Sequence, residues 1–342
     1  MKKMVLFLIL LLCVSLLVSC TGGIELPWNR PDNGDDNGGG GGTQEPGGTG
    51  AVKWAGIRFS SYGMRSAYGK DNFPDKTKTS NLISKMRGYY DDSKGTCILI
   101  VGTVSESNWT CSLDFPLSKE IDLVYGSKYD RYEDYLTAFD NAGYSVWLQV
   151  EPGNADLVAL AKEVMTHYKN HTCVKGFGID VEWYRPAGTD GYGTKLTATE
   201  ARKVLTEIRK INSGYTLFIK HWDRRWLTDG KSADEGIIYV NDSQNYLGLD
   251  EDDEITTALI NSFSTEELNE AAEDMIDDFS RWAKAYYPSP VMFQIGYEKD
   301  TPFWKRLYTN PAKGLGEAIA AGIQTKNDIG IIWVDFTVNQ VL

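Results

Sequence analysis

Histidine and cysteine are scarce in this chain, which has 3 His and 5 Cys among 342 residues. His167, His171 and His221 are too scattered to form a zinc motif, and no cysteine spacing resembles one. We therefore assign no metal and no cofactor. Basic residues are also in the minority, since 35 Lys and Arg against 47 Asp and Glu leave a net charge of -12. This balance argues against a nucleic-acid partner, because a phosphate-binding surface needs clustered Lys and Arg.

The apolar run from Val5 to Leu17 is too short to span a bilayer comfortably. It follows two lysines and ends at Leu17-Val18-Ser19-Cys20, which is similar to the lipobox of bacterial lipoproteins. We interpret residues 1–20 as a lipoprotein signal peptide and not as part of the fold. The resemblance implies cleavage before Cys20 and lipidation of its thiol. The mature protein would then be tethered to a membrane of the bacterial cell envelope, outside the cytoplasm.

Residues 21–50 are predicted to be a flexible linker, because their Gly-rich acidic sequence cannot bury enough apolar surface to offset its ordering entropy. The remaining residues, 51–342, are predicted to form one domain. With Cys20 lipidated, this domain holds Cys97, Cys111 and Cys173. Three thiols in an oxidising compartment permit one disulfide, and Cys97 and Cys111 are the nearest pair in sequence.

Apolar strand-like runs alternate with amphipathic helix-like runs from residue 51 to the end of the chain. The predicted strands are Lys53 to Ser60, Thr96 to Thr103, Tyr144 to Glu151, Val174 to Glu182, Tyr215 to His221, Gly236 to Asn241, Val291 to Tyr297 and Ile329 to Phe336. The predicted helices are Ser80 to Tyr89, Tyr129 to Ala142, Asn154 to Tyr168, Thr199 to Ile211, Ser264 to Tyr286 and Leu315 to Ile323. This order predicts a (β/α)8 TIM barrel, and the chain stops at Leu342, too soon for a final helix.

The fourth predicted strand ends in two carboxylates and two aromatic residues. Because side chains alternate along a strand, Gly178, Asp180 and Glu182 share one face, and Phe177, Ile179 and Val181 share the other. An apolar outer face and an acidic inner face suit a parallel barrel sheathed by helices, with its open end at the carboxylates. Tyr184 follows directly and is a further candidate for ligand contact.

Polar residues also end the other predicted strands. If their polar faces point inward, the rim collects Arg58, Gln149, Glu151, Asn241 or Asp242, Gln294, Glu298, Trp333 and Asp335. Active sites in this fold lie at the C-terminal ends of the strands, so this collection predicts a ligand site there.

Gly176-Phe-Gly-Ile-Asp-Val-Glu182 resembles the D-G-x-D-x-D-x-E signature of glycoside hydrolase family 18, the chitinase and endo-β-N-acetylglucosaminidase group. Gly330-Ile-Ile-Trp333 looks like the last strand of that family, whose Trp floors the sugar site, and Gln294-Ile-Gly-Tyr-Glu298 resembles its Tyr-Asp motif. The match departs from the signature at two positions. Lys175 and Gly178 stand where the family has aspartates, and the second of those aspartates helps to set the pKa of the catalytic acid.

The resemblance implies hydrolysis of a GlcNAc-containing glycan by a substrate-assisted retaining mechanism. Glu182 would be the general acid, Asp180 would orient the acetamido group of the substrate, and Trp333 would stack on the sugar. Tyr297 or Tyr239 would bond the acetamido oxygen.

Two alternatives remain open from the sequence. In the first, Glu182 is the acid/base and Glu298 the nucleophile of a two-carboxylate retaining glycosidase. In the second, the barrel binds a glycan without cleaving it, which the glycine at position 178 favours.

Overall fold

The computed structural model of the protein describes residues 51–189, 192–228, 236–250 and 253–342. The predicted signal peptide, the lipidation site at Cys20 and the linker all lie outside these residues, so they stay predictions. Among the described helices, none combines the length and the apolar character needed to cross a membrane.

The structure contains eight parallel strands that close into a barrel, which confirms the predicted (β/α)8 class. In barrel order they are β1 (Ala51–Phe59), β2 (Lys94–Ser105), β5 (Ser145–Val150), β6 (Val174–Asp180), β7 (Thr216–Lys220), β8 (Ile237–Asn241), β9 (Val291–Ile295) and β10 (Asp328–Trp333). The barrel closes because β1 pairs in parallel with both β2 and β10. Two short strands, β3 (Thr110–Leu113) and β4 (Val124–Gly126), extend the sheet from β2 within the long loop that precedes the third barrel strand.

Helices cover the outside of the barrel. They are α1 (Ser61–Tyr68), α2 (Lys76–Arg87), α3 (Glu133–Ala142), α4 (Leu157–His167), α5 (Ala198–Arg209), α6 (Thr257–Ser262), α7 (Thr265–Tyr286), α8 (Thr301–Leu307), α9 (Pro311–Gly322) and α10 (Val338–Val341). The Ser264 hydroxyl accepts from the Glu267 amide while the Glu267 carboxylate accepts from the Ser264 amide, so α7 begins with a capping box. Within the described residues, β10 is followed by a 3-10 turn, Asp335–Thr337, and by the four residues of α10.

The barrel has two apolar layers, because its strands are buried on both faces. The interior layer contains Trp54, Ile98, Trp147, Phe218, Ile238, Val240, Met292 and Ile332. The second, larger layer lies between the strands and the helices and contains the residues at the alternate positions, among them Phe177, Ile179 and Val181. The fourth barrel strand therefore faces the helices with the side predicted from its sequence.

The disulfide that the sequence permits between Cys97 and Cys111 is absent from this structure. Cys97, Cys111 and Cys173 are all buried free thiols. Cys97 lies on the outer face of β2 and Cys111 on β3, where both pack as small apolar groups in the outer layer.

Candidate active site

A buried lysine and three carboxylates lie together at the C-terminal end of the barrel. Lys220 is the last residue of β7, and its Nζ lies 3.0 Å from the Asp180 Oδ2. The same Nζ hydrogen-bonds to Asp242 and lies 4.0 Å from the Glu182 Oε2. Asp180 ends β6 and Asp242 directly follows β8, so parallel neighbouring strands place these groups at one rim. We call Lys220, Asp180, Asp242 and Glu182 the lysine cluster.

Lys220 stays charged in this setting. Burial by itself would lower the pKa of its ammonium, but Asp180 and Asp242 outweigh burial and raise that pKa well above the usual value. For Asp242 the balance runs the other way: burial works to raise its pKa, but the Lys220 ammonium holds it below the usual value. Lys220 and Asp242 therefore form the ionised core of the cluster.

The other two carboxyls retain their protons far more readily. Burial raises the pKa of Asp180 to about 7, and the charges of Asp242 and Glu151 add to this effect against the opposing charge of Lys220. Burial also raises the pKa of Glu182 to about 8, helped by the negative charge of Asp180. Glu182 stands in the 3-10 turn Val181–Trp183 with its side chain 29% exposed, so it is the member of the cluster that a ligand reaches.

Several buried polar atoms around the cluster hydrogen-bond to no described residue. Gln149 donates to Asp180 through Nε2 at 3.0 Å, but its Oε1 accepts nothing. The same lack of a described hydrogen-bond partner holds for the Asp180 Oδ1, the Asp242 Oδ1 and both polar amide atoms of Gln294. An unpaired buried polar atom costs free energy, and such atoms in a native structure point to a ligand or solvent contact. Four acceptors and one donor suit a ligand rich in hydroxyl or amide hydrogens.

A second ion pair adjoins the lysine cluster. Arg58, on the inner face of β1, donates to the Asp335 Oδ1 through Nε at 3.0 Å and Nη2 at 2.8 Å. The Tyr297 hydroxyl links the two groups, because it accepts from the Arg58 Nη1 at 3.3 Å and donates to the Asp242 Oδ2 at 3.1 Å. Glu151 is also buried here, where its two oxygens accept from the Tyr62 hydroxyl and the Val104 amide. Burial raises the pKa of Glu151.

Four aromatic or amide side chains that the sequence offered as candidates for the site point away from it. Trp333 has no exposed surface and belongs to the layer between strands and helices, since Gly330 and Ile332 take the inward positions of β10. The Asn241 amide donates to Asp278 on α7, because Ile238 and Val240 set the inward phase of β8 and leave Asp242 as the next inward residue.

Tyr184 is buried in the outer layer, where its hydroxyl donates to Glu200 on α5. Tyr239 also faces outward and stacks on Tyr286 of α7, with 3.7 Å between the ring centroids. Both placements correct the expectation that these tyrosines reach the site.

Tyr297 does reach the site, although strand alternation alone would point it outward. The strand β9 ends at Ile295, and Gly296 then takes a φ of 90°, a conformation that side chains rarely adopt. This turn swings Tyr297 into the mouth. Glu298 lies beyond it on the surface, where it accepts from the Ser66 hydroxyl of α1 at 3.1 Å.

The structure explains the glycine at position 178. Gly178 faces the barrel interior, and a Cβ built on it would collide with the ring of Phe218 on the neighbouring strand β7. Phe218 therefore fills the space that an aspartate at this position would need. Two residues further along β7, Lys220 contacts Asp180 instead.

Lys220 is the site residue that the sequence analysis missed. A detectable signal exists, because Thr216, Phe218 and Lys220 alternate with the apolar Leu217 and Ile219. The rule that placed Asp180 inward also places Lys220 inward.

No protein-family model and no curated protein matches the chain. Among solved structures, the fold is similar to that of Cel5A from Thermotoga maritima in complex with mannotriose, at 11% identity over 83% of this chain and 89% of that one, with a TM-score of 0.47. It is also similar to the lactosyl-enzyme intermediate of endo-glycoceramidase II from Rhodococcus sp., at 11% identity, 84% and 73% coverage and a TM-score of 0.45. A third similar structure is catalytic domain 2 of the group II chitinase from Ostrinia furnacalis, at 10% identity, 71% and 63% coverage and a TM-score of 0.37.

Proposed function

We propose that this protein is a glycoside hydrolase that uses Glu182 as its general acid and acts on GlcNAc-containing glycans. The observation that carries the proposal is the position of Glu182, a partly exposed carboxyl at the open end of the barrel beside the buried Lys220 and Asp180. Burial and the neighbouring Asp180 raise its pKa to about 8, so the group holds its proton at neutral pH. A carboxylic acid in that state can protonate the glycosidic oxygen as the bond breaks.

The surrounding groups support the substrate-assisted form of the mechanism. In that form the acetamido carbonyl of the substrate attacks the anomeric carbon, and a carboxylate orients the acetamido nitrogen. Asp180, two residues before Glu182, has an Oδ1 that hydrogen-bonds to no residue that the structure describes. The Tyr297 hydroxyl and the unpaired amide of Gln294 are further polar groups at the same rim.

The alternative with Glu298 as nucleophile has less support. Such a nucleophile lies about 5–5.5 Å from the acid in retaining enzymes and is held by the site. Glu298 is instead exposed and accepts a hydrogen bond from Ser66 of α1. The carboxyl that the lysine cluster holds in its ionised form is Asp242 and not Glu298.

An amine nucleophile is disfavoured as well. Schiff-base chemistry needs a neutral amine, whereas its acidic partners keep Lys220 protonated.

The test is hydrolysis of a panel of GlcNAc oligosaccharides by a soluble form of the protein that begins after the predicted lipidation site at Cys20, with Glu182→Gln beside it. We expect Glu182→Gln to lose turnover by a factor of about 10² to 10⁴ and to keep binding, because general acid catalysis contributes on that order. The exposed Glu317 of α9, paired with Lys313, provides the control Glu317→Gln, which should keep full activity.

Three outcomes separate the mechanisms. A thiazoline mimic of the cyclised intermediate should inhibit if the acetamido group is the nucleophile. Hydrolysis that resists this mimic and disappears in Glu298→Gln would favour the two-carboxylate mechanism. Glycan binding without hydrolysis in the unmodified protein would identify a non-catalytic glycan-binding barrel.

A further inference from the structure

The buried position of Trp333 leaves the site without the stacking surface that the sequence predicted. Its indole Nε1 donates to the Thr337 hydroxyl at 2.9 Å, and Gly296 packs against its ring so closely that a Cβ there would collide with it. With no exposed surface, Trp333 cannot lie against a ligand. A flat apolar face for a sugar must come from other residues.

Two aromatic rings reach solvent next to the Arg58 and Asp335 pair. Tyr62 is in the first turn of α1 and is 37% exposed, and Phe336 is half-buried in the turn that follows β10. Their ring centroids are 5.9 Å apart and their planes are inclined by 43°. Because β1 and β10 are neighbours in the barrel, the two rings form one surface above the ends of these strands.

Buried polar groups hold both rings in place. The Arg58 guanidinium lies 5.0 Å from the centre of the Phe336 ring and is itself fixed by Asp335. The Tyr62 hydroxyl donates at 2.9 Å to Glu151, whose second oxygen is bound by the Val104 amide. A ring that is fixed before binding loses little conformational entropy when a ligand lies on it.

The two rings are continuous with the proposed catalytic site. Arg58, beneath Phe336, donates to Tyr297, which donates to Asp242 of the lysine cluster. Glu151, which anchors Tyr62, also contributes to the raised pKa of Glu182 and Asp180. A chain bound at Glu182 and spanning the mouth would meet these rings.

We propose that Tyr62 and Phe336 form an aromatic platform on which an uncharged pyranose ring of the substrate lies. This inference rests on the proposed function, and it names a substrate-binding surface that the sequence did not indicate. The axial C–H groups of a pyranose give it an apolar face that matches an aromatic surface in a partly polar pocket. An uncharged ring is favoured because the charge of Arg58, the cation beneath the platform, is already neutralised by Asp335.

The test measures binding of a GlcNAc tetrasaccharide by titration calorimetry in the Glu182→Gln background, where the ligand is not cleaved. We expect Phe336→Leu and Tyr62→Leu each to raise Kd about three- to tenfold, the range that corresponds to the loss of one aromatic contact. Tyr62→Phe keeps the ring and should lose less affinity than Tyr62→Leu. Circular dichroism and thermal unfolding of each variant verify the fold.

Tyr129 provides a matched control. It is 70% exposed, its ring lies beside Lys128, and the next residue, Asp130, bonds to His167 of α4. Tyr129→Leu should leave Kd unchanged.

The possible results distinguish this platform from the proposed function. If the unmodified protein cleaves the glycan but Phe336→Leu and Tyr62→Leu bind as well as their parent, the platform is refuted and the hydrolase proposal stands. If the protein binds without cleaving, and the two variants weaken binding, the platform stands alone. If the protein neither binds nor cleaves any member of the panel, both inferences are wrong.

Discussion

Replacing Lys220 by methionine tests whether one buried ammonium holds the carboxylates of the site together. The Lys220 side chain is 3% exposed and its Nζ contacts Asp180 and Asp242, which are 4% and 6% exposed. Removing one partner of a buried ion pair leaves the other charge without compensation, which destabilises a protein by about 3–5 kcal/mol. We expect Lys220→Met to lower the free energy of unfolding by this amount at pH 8.

The loss of stability in Lys220→Met should grow as the pH rises. Without Lys220, both Asp180 and Asp242 have folded-state pKa values above those of the unfolded chain. Over that range the folded state binds more protons than the unfolded state, so its stability falls as pH rises. For each carboxyl, the free energy of unfolding falls by up to about 1.4 kcal/mol per pH unit. The loss of stability in Lys220→Met should therefore be small at pH 5 and largest at pH 8. In the unmodified protein Lys220 holds the pKa of Asp242 low, so Asp242 does not make the unmodified protein less stable as the pH rises over this range.

Urea unfolding followed by tryptophan fluorescence at pH 5, 6.5 and 8 measures this difference. The exposed pair of Lys53 and Asp328, whose side chains are 50% and 42% accessible, provides the control Lys53→Met. A surface pair contributes about 0–1 kcal/mol, so this variant should differ little from the parent at every pH. The reasoning fails if Lys220→Met behaves like Lys53→Met, or if its deficit shrinks as pH rises.

Two further predictions concern the acids and the barrel interior. The pH dependence of kcat/KM should be bell-shaped, with an acid limb near pH 7 and an alkaline limb near pH 8. Activity needs Asp180, with a pKa of about 7, to be ionised and Glu182, with a pKa of about 8, to be protonated. An alkaline limb below pH 6 in the measured rate profile would contradict these assignments. Gly178→Asp should lower the free energy of unfolding by about 1–3 kcal/mol without increasing turnover, because the new side chain collides with Phe218. Denaturant titration measures this change, and Gly214→Ala, where a Cβ has room, is the control.

The sequence predicts which side chains face the barrel interior where polar residues or glycines distinguish the two faces of a strand. In β6, Gly178 and Asp180 alternate with Phe177 and Ile179, so the phase of the strand can be determined and Asp180 was placed correctly. In β8, all residues before Asn241 are apolar, because both faces of a barrel strand are buried. Nothing in such a run distinguishes the inner face from the outer one, so the sequence left Asn241 and Asp242 as alternatives, and the structure places Asp242 at the site.

Past the end of a strand, alternation no longer applies. Glu182 stands in a 3-10 turn and still reaches the mouth, whereas Tyr297 reaches it only because Gly296 turns the chain. The platform residue Phe336 also lies in a turn, so its position depends on how that turn packs against α1. Such packing is a tertiary property that no periodicity records.

The missing aspartate and the buried lysine are two consequences of one packing arrangement. Because Phe218 occupies the space beside Gly178, no carboxylate at that position can hold a proton for Asp180. Lys220, on the same face of β7, contacts Asp180 with the opposite charge, which lowers the pKa values of both Asp180 and Glu182 against the effect of burial. Lys220 therefore limits how far those pKa values rise, and the same ammonium stabilises the fold. Removal of Lys220 should therefore shift the alkaline limit of activity to higher pH, and it should lower the free energy of unfolding most at alkaline pH. Measuring activity and stability separately against pH distinguishes the two effects.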